Sequence, residues 1–371
     1  MTSTIAQALV HIEGSLCEGG GQLLRNAVAL SALLSKPISV ANVRHNRKPP
    51  GLRKQHEAGI NLAATICSAE TSGVVFGSTT IDFRPGPILI PQALTADTGT
   101  AGSTTLLLQV SFPCLLFSLA ASSEVFSSVL TLKGGTNATQ APQIDYIQHI
   151  FLPFVHSHFG IDASLKVQRR GYFPKGGGSV VCTVPAVAGP LPCVTLTTRG
   201  RVLKIHGEAR VGGLSFSLPN RIRNAATERL LASGFTPEKV RIRVEREHID
   251  DAFGSETETG CLIGGSAVSE KGKKPEQVGE EAAKELLRNL DHGGCVDEYL
   301  QDQIIIFLAL AKGRSTIRCG PLTDHTRTAI QIAQQMTGAQ FYVDEDTSTA
   351  TTISCDGVGF VPLASRESSR S

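Results

Sequence analysis

Four stretches of the chain hold residue types whose spacing has a chemical use. In Glu18-Gly19-Gly20-Gly21-Gln22-Leu23-Leu24-Arg25 a carboxylate, a glycine triplet and an arginine stand at the entrance to an apolar run. Glycines let backbone N–H groups approach an anion, a carboxylate can hold a divalent cation, and an arginine fork can grip a phosphate. Taken alone, the stretch reads first as a tight turn into a core helix. The segment Val43 to His56 carries Arg44, Arg47, Lys48, Arg53 and Lys54 around a Pro-Pro-Gly turn, with no acid among them. Such a stiff cationic loop suits a phosphate or an RNA backbone, although most basic loops are only solvated. His325 follows Thr323 and Asp324, both suited to cap the helix expected from Thr326. A helix N-terminus disfavours imidazolium and attracts phosphate, so a neutral ring there could attack a nucleotide α-phosphate and give a labile phosphoramidate. Tyr299, Asp302 and Gln303, at i, i+3 and i+4, share one helix face. An aromatic, a carboxylate and an amide in that arrangement suit an adenosine through a stack, a ribose or metal contact and a base-edge hydrogen bond.

Other motifs carry less. Lys133-Gly134-Gly135-Thr136-Asn137 and Tyr172-Phe173-Pro174-Lys175-Gly176-Gly177-Gly178 are lysine-bearing glycine turns that could line a phosphate site or simply turn the chain. Asp97-Thr98-Gly99-Thr100 has the look of an aspartic-protease triplet, but that chemistry needs a second such carboxylate, and Asp356-Gly357 lacks the hydroxyl residue. His156 and His158 would diverge on the helix expected there. The nine cysteines show no metal spacing, and several sit in apolar runs as small hydrophobes, which points to a reducing compartment. A net charge of +2 confines any polyanion site to a local patch. No signal peptide is read at the N-terminus and no membrane span in Thr104 to Ala121, which contains Gln109 and Pro113. The expectation is a nuclear or cytoplasmic protein that is not secreted, with no membrane and no deducible protein partner.

The elements that must position these groups follow from periodicity. With 371 residues the chain has room for two domains. Three segments share one layout: an apolar helix, a more amphipathic helix, then strand-like alternation. They are Gln22–Leu34, Leu52–Ser68 and Gly73–Phe83; Ser103–Ala120, Gln143–Phe159 and Ser164–Val184; and Leu300–Ala311, Thr326–Thr337 and Gln340–Ser354. We read three copies of a two-helix, sheet-forming unit. A Pro/Ala/Gly-rich linker, Pro185–Pro192, leads into a stretch that breaks this layout and reads as an inserted small α/β module. The expected division is residues 1–186 and 295–371 for the repeated units and 187–294 for the insertion.

Together these segments resemble the RNA 3′-terminal phosphate cyclase family. The resemblance runs in order through Glu18 to Arg25, Arg44 to His56, Lys133 to Asn137 with Ala141 to Tyr146, Arg170 to Gly178, Val296 to Gln303, and His325-Thr326. It implies an α/β fold of three repeats, each two helices on a four-stranded sheet, with an inserted thioredoxin-like domain. It implies that the enzyme's histidine takes AMP from ATP with Mg2+ or Mn2+ and passes it to an RNA 3′-phosphate. The neighbouring 2′-hydroxyl then closes a 2′,3′-cyclic phosphate. By resemblance His325 matches the nucleophile and Glu18 the metal-binding acid. Arg25, Arg44, Arg47 and Gln55 match the pocket for the RNA terminal phosphate, and Gln109, Pro142, Tyr299, Asp302 and Gln303 match the ATP site. His45-Asn46 between the two arginines and the stretch Ser122 to Ser128 depart from the family pattern and bear on loop shape. A non-catalytic ribosome-biogenesis branch shares the fold but lacks the histidine that stands here. An enolpyruvyl transferase-like enzyme would have no use for it.

Overall fold

The computed structural model describes residues 8–17, 19–117, 127–187, 189–211, 215, 217–245, 250–345 and 350–362. The chain begins β1 (Val10–Glu13), α1 (Gly21–Leu34), β2 (Ile38–Ala41), α2 (Lys54–Ile66), β3 (Glu70–Ser72), β4 (Ile81–Arg84). It repeats the pattern as β5 (Ala93–Asp97), α3 (Thr104–Leu116), β6 (Ser127–Gly134), then α4 (Ile144–Tyr146) and α5 (Leu152–Phe159), joined by a π turn (Ile147–Phe151) into one helix. β7 (Ser164–Arg169) and β8 (Gly178–Pro185) complete the unit. In both units the sheet order is first, second, fourth, third strand, with the first pair parallel and the rest antiparallel.

The third unit is split. Its first strand is the two-residue β9 (Thr195–Leu196), parallel to β14 (Lys312–Cys319), in the sheet β15 (Gln340–Glu345), β16 (Thr351–Val358), β14, β9. Its helices are α8 (Glu298–Gln303), α9 (Ile305–Leu310) and α10 (Asp324–Thr337). Between β9 and α8 come β10 (Val202–Arg210), α6 (Ser217–Ala232), β11 (Val240–Glu245), β12 (Asp250–Thr257), β13 (Leu262–Ala267) and α7 (Pro275–Asp291). This module has its own sheet, ordered β11-β10-β12-β13, and its own small core around Ile205, Ile263 and Leu286. That order and its helix placement accord with the thioredoxin-like arrangement implied by resemblance. The insertion expected over 187–294 therefore interrupts the third unit after its first strand, because Leu191 O, Val194 O and Thr195 all pair with β14. A two-residue strand carries too little alternation to be read from sequence.

Apolar faces explain the packing. Helix α1 is buried along nearly its whole length and packs against α2, α3 and α10. It starts where the glycines release the chain and ends at Ser35, whose left-handed φ of 54° and N–H bond to Ser31 O stop it before Pro37. Phe307 of α9 meets Phe112 of α3 and Phe151 of the π turn edge-on or tilted, at 6.2 and 6.0 Å between centroids. One continuous apolar core thus spans all three units, with helices inside and sheets outside. All nine cysteines are free, and among the described residues no helix is long and apolar enough to cross a membrane.

Candidate functional site

His325 sits in the first turn of α10, in a seat built by neighbouring polar groups. Thr323 is the N-cap, its hydroxyl accepting from the Thr326 N–H at 3.1 Å. Gln301 of α8, 1% exposed, clasps the loop before it. Its Oε1 accepts from Thr323 N–H at 3.1 Å and from the Thr326 hydroxyl at 2.5 Å, while its Nε2 donates to Gly320 O at 3.2 Å and Pro321 O at 3.4 Å. The imidazole itself is exposed. Surrounding protein lowers its pKa, Asp302 opposes that shift, and Arg25 and Arg47 add to it. The ring is therefore held in its neutral, nucleophilic form, with two arginines and a carboxylate as electrostatic neighbours.

The cationic side comes from the first unit. Arg25, on α1, donates to Gln22 Oε1, and its Nε is buried with no partner. Burial lowers its pKa to about 10, against the pull of Asp302. Asp302 is pushed up to about 6 by burial, with His325 and Arg25 opposing. Arg44 adopts a left-handed φ of 54° and donates to Pro49 O at 3.3 Å and Gly51 O at 3.0 Å, which holds the loop shut. Arg47 is exposed. Gln55 commits its side-chain oxygen to the Ser103 N–H at 3.2 Å, leaving its NH2 end as the part able to donate to a ligand. His56 is buried beneath this wall. Its pKa drops to about 3, first from burial and then from Arg25, Arg44 and Arg53, and its Nδ1 accepts from Arg53 N–H at 3.1 Å.

The glycine triplet works differently from the anion cradle its composition suggests. A Cβ on Gly19, whose φ is 58°, would lie 2.7 Å from Asn46 Nδ2, and one on Gly21 would lie 2.5 Å from His56 Nε2. The glycines make room for the basic loop to close over α1, which places His56 near both Arg25 and Arg44. Glu18, the expected metal-binding acid, lies outside the described residues.

The residues matched to a nucleotide come from the second and third units. Tyr299 meets Tyr146 edge-on, 5.5 Å between ring centroids. Gln303 is 6% exposed, donates through Nε2 to Tyr299 O at 2.7 Å, and keeps a buried Oε1 with no partner. Gln109 likewise has a buried, unpartnered Oε1, and the two amides line one cleft with Gln22 and Asn26. Unpartnered buried amide oxygens carry a cost that a donor-bearing ligand would relieve. Pro142 is buried in the turn leading to Tyr146, its carbonyl accepting from the Thr105 hydroxyl at 2.8 Å. The matched residues come from all three units: the structure brings Arg25, Arg47 and Asp302 to His325, Gln55 to Arg25 and His56, and Gln109 to Gln303, while Pro142 is tied to Thr105.

Three other motifs hold the scaffold. Arg170 makes a buried bidentate pair with Asp145, at 2.6 and 2.5 Å, and Asn137 Nδ2 donates to Asp145 at 3.2 Å. Burial would raise the Asp145 pKa, but Arg170 more than reverses it. Lys133 to Asn137, Ala141 to Tyr146 and Arg170 to Gly178 are therefore tied by one network. Asp97 Oδ1 simply accepts from Gly99 N–H at 2.8 Å in a turn. Among the described residues one trio, Asp145, His149 and Glu208, has donors within 4.8 Å of one another, but Arg170 engages both Asp145 oxygens.

Two positioning residues escape a sequence reading. Gln301 points away from the Tyr299–Asp302–Gln303 face, so facial periodicity passes over it. Asp297, fully buried, caps α8 through Tyr299 N–H and Leu300 N–H at 3.1 and 2.9 Å. It also accepts from Tyr146 Oη at 2.6 Å and Gly264 N–H at 2.7 Å. Its place before a helix was a visible capping signal; its two tertiary partners were not.

A family model described as RNA 3′-terminal phosphate cyclase matches residues 16–343. The chain is 39% identical over 372 residues to a probable RNA 3′-terminal phosphate cyclase of Dictyostelium discoideum, covering 95% of this chain and 83% of the relative. It is 37% identical to the RNA 3′-terminal phosphate cyclase of Drosophila melanogaster, over 96% of this chain and 98% of that one. The same identity is found with the protein of that name from the archaeon Desulfurococcus amylolyticus, over 96% and 100%.

Proposed function

The chain belongs to the RNA 3′-terminal phosphate cyclase family, and we propose that it is an enzyme converting an RNA 3′-terminal phosphate to a 2′,3′-cyclic phosphate at the expense of ATP. The observation that carries this reading is the seat of His325: a neutral imidazole at a helix N-terminus, with Arg25, Arg47 and Asp302 as its charged neighbours.

His325 attacks the α-phosphorus of ATP, forming an N–P bond as the α–β P–O bond breaks and pyrophosphate leaves. The partial positive charge at the N-terminus of α10 and Arg25 stabilise the charge that develops. Arg44, Arg47 and the NH2 end of Gln55 hold the RNA 3′-phosphate so that one of its oxygens displaces His325, giving an RNA-adenylate and restoring the imidazole. The adjacent 2′-hydroxyl then attacks the phosphorus of the RNA 3′-phosphate, breaking its P–O bond to AMP. Its proton is released, the cyclic phosphate closes, and AMP departs. Adenylylation is needed because a phosphate monoester has no good leaving group.

Tyr299 offers a face to adenine, and the unpartnered oxygens of Gln109 and Gln303 can accept from the nucleotide. Mg2+ or Mn2+ would be held by Glu18 and Asp302 and would neutralise charge on the leaving phosphates. Burial raises the Asp302 pKa, so a cation next to it would be welcome.

Purified protein with α-labelled ATP and either metal should acquire covalent AMP that is acid-labile and alkali-stable. His325→Ala should acquire none; equal labelling of the two proteins would remove His325 as nucleophile. An RNA ending in a 3′-phosphate should be cyclised. Arg44→Ala and Arg47→Ala should impair transfer to RNA more than self-labelling.

A further inference from the structure

An exposed aromatic side chain borders the arginine wall and has no part in the steps above. Phe76, between β3 and β4, is 54% exposed. The Arg53 guanidinium carbon lies 5.5 Å from its ring centroid and Lys54 Nζ lies 5.8 Å from it.

The segment that bears it is fastened to the phosphate loop by main-chain hydrogen bonds. Gly77 N–H donates to Leu52 O, Leu52 N–H to Ser78 O, and Val43 N–H to Thr79 O, each at 2.9 Å. Phe76 is thus held in register with residues 43–54, the stretch that carries Arg44, Arg47 and Arg53. Arg53 is near enough to Arg44 and His56 to disfavour protonation of both, so the ring stands at the edge of the same cationic field.

A half-exposed aromatic ring with two cations near it, on a loop fastened beside the arginine wall, is what a single-stranded nucleic acid needs: a base stacks on the exposed part of the ring while flanking phosphates meet the cations. We propose that Phe76 stacks on a base of the RNA just 5′ of the terminal nucleotide, with Arg53 and Lys54 meeting the phosphates on either side of that base. The proposal rests on the reading of the arginine pocket as the seat of an RNA 3′-phosphate. It follows that the RNA end must be single-stranded at the stacked nucleotide, and that a base matters there but its identity matters little.

The probe is a 3′-phosphorylated RNA with 2-aminopurine placed one, two or three nucleotides before its end. The wild-type protein should quench the probe at one of those positions. Phe76→Ala should lose most of that quenching and bind the RNA about five- to tenfold more weakly, while Phe76→Trp should keep both. RNA-independent AMP labelling gives the active fraction to which each affinity is normalised. An abasic site at the quenched position should weaken the wild type by the same factor and weaken Phe76→Ala no further. Equal quenching by the wild type and Phe76→Ala, or losses that simply add, would overturn the stacking. Persistent Phe76-dependent quenching without AMP labelling or cyclisation would instead sink the activity reading and leave the stacking in place.

Discussion

His325 and His56 are both histidines near arginines, and their surroundings give them different duties. His325 is exposed at a helix start, where neutrality leaves a lone pair available for attack. His56 is 8% exposed and packs under Gly21, where neutrality lets it accept from Arg53 N–H without adding charge to an already cationic wall. A pH prediction follows for His56. Its folded pKa of about 3 lies below the ordinary imidazole value of about 6.5. The stability it contributes is therefore complete above about pH 6.5 and is lost as pH falls towards about 3. Thermal melts across that window should show the melting temperature of the wild type falling more steeply than that of His56→Gln, which cannot titrate. Parallel curves would show that His56 does not contribute. The type and position of His325, Arg25, Arg44 and Arg47 were legible along the chain. The burial that makes His56 a support was not, because it depends on Gly21 and three arginines meeting it from different parts of the chain.

At the scale of elements, the long apolar helices were read within a few residues of where they lie. The expected Gln22–Leu34 is Gly21–Leu34, and Thr326–Thr337 begins two residues earlier because Thr323 caps at Thr326 N–H. The expected Leu300–Ala311 is two helices, Glu298–Gln303 and Ile305–Leu310. The short strands that open each unit were missed, since five or fewer alternating residues barely exceed chance. What binds α8 to α10 is Gln301, and removing it should have two effects. Gln301→Ala removes the acceptor of Thr323 N–H and leaves the Thr326 hydroxyl only its bond with the Thr323 hydroxyl, which costs roughly 2 kcal/mol. It should also slow AMP labelling about tenfold through misplacement of His325. RNA affinity should hardly change. Gln301→Glu, which keeps the acceptor but loses the donors to Gly320 and Pro321, should fall between. A loss of stability with labelling intact would reduce Gln301 to a packing residue.

For the whole molecule, the residues of the proposed site are drawn from all three units, and no single unit carries them all. Asp297 joins them, taking hydrogen bonds from its own helix, from Tyr146 of the second unit and from Gly264 of the insertion. Asp297→Ala should therefore cost more than a lost cap alone, roughly 3 kcal/mol in all. Amide exchange should rise at Gly264 in the insertion as well as at Tyr299 in α8. Faster exchange confined to α8 would show that the insertion is held by other contacts. By itself the sequence determined the chemistry on offer, the helical layout and the family, because residue types, local periodicity and ordered motifs are properties of the chain taken in line. The tertiary structure decided that the insertion splits the third unit, that the glycine triplet is a seat for His56 and Asn46, and that Arg25, Arg47 and Asp302 converge on His325. Those outcomes depend on which buried faces meet in the shared core, and no contact of that kind is written in the spacing of residues along one strand or helix.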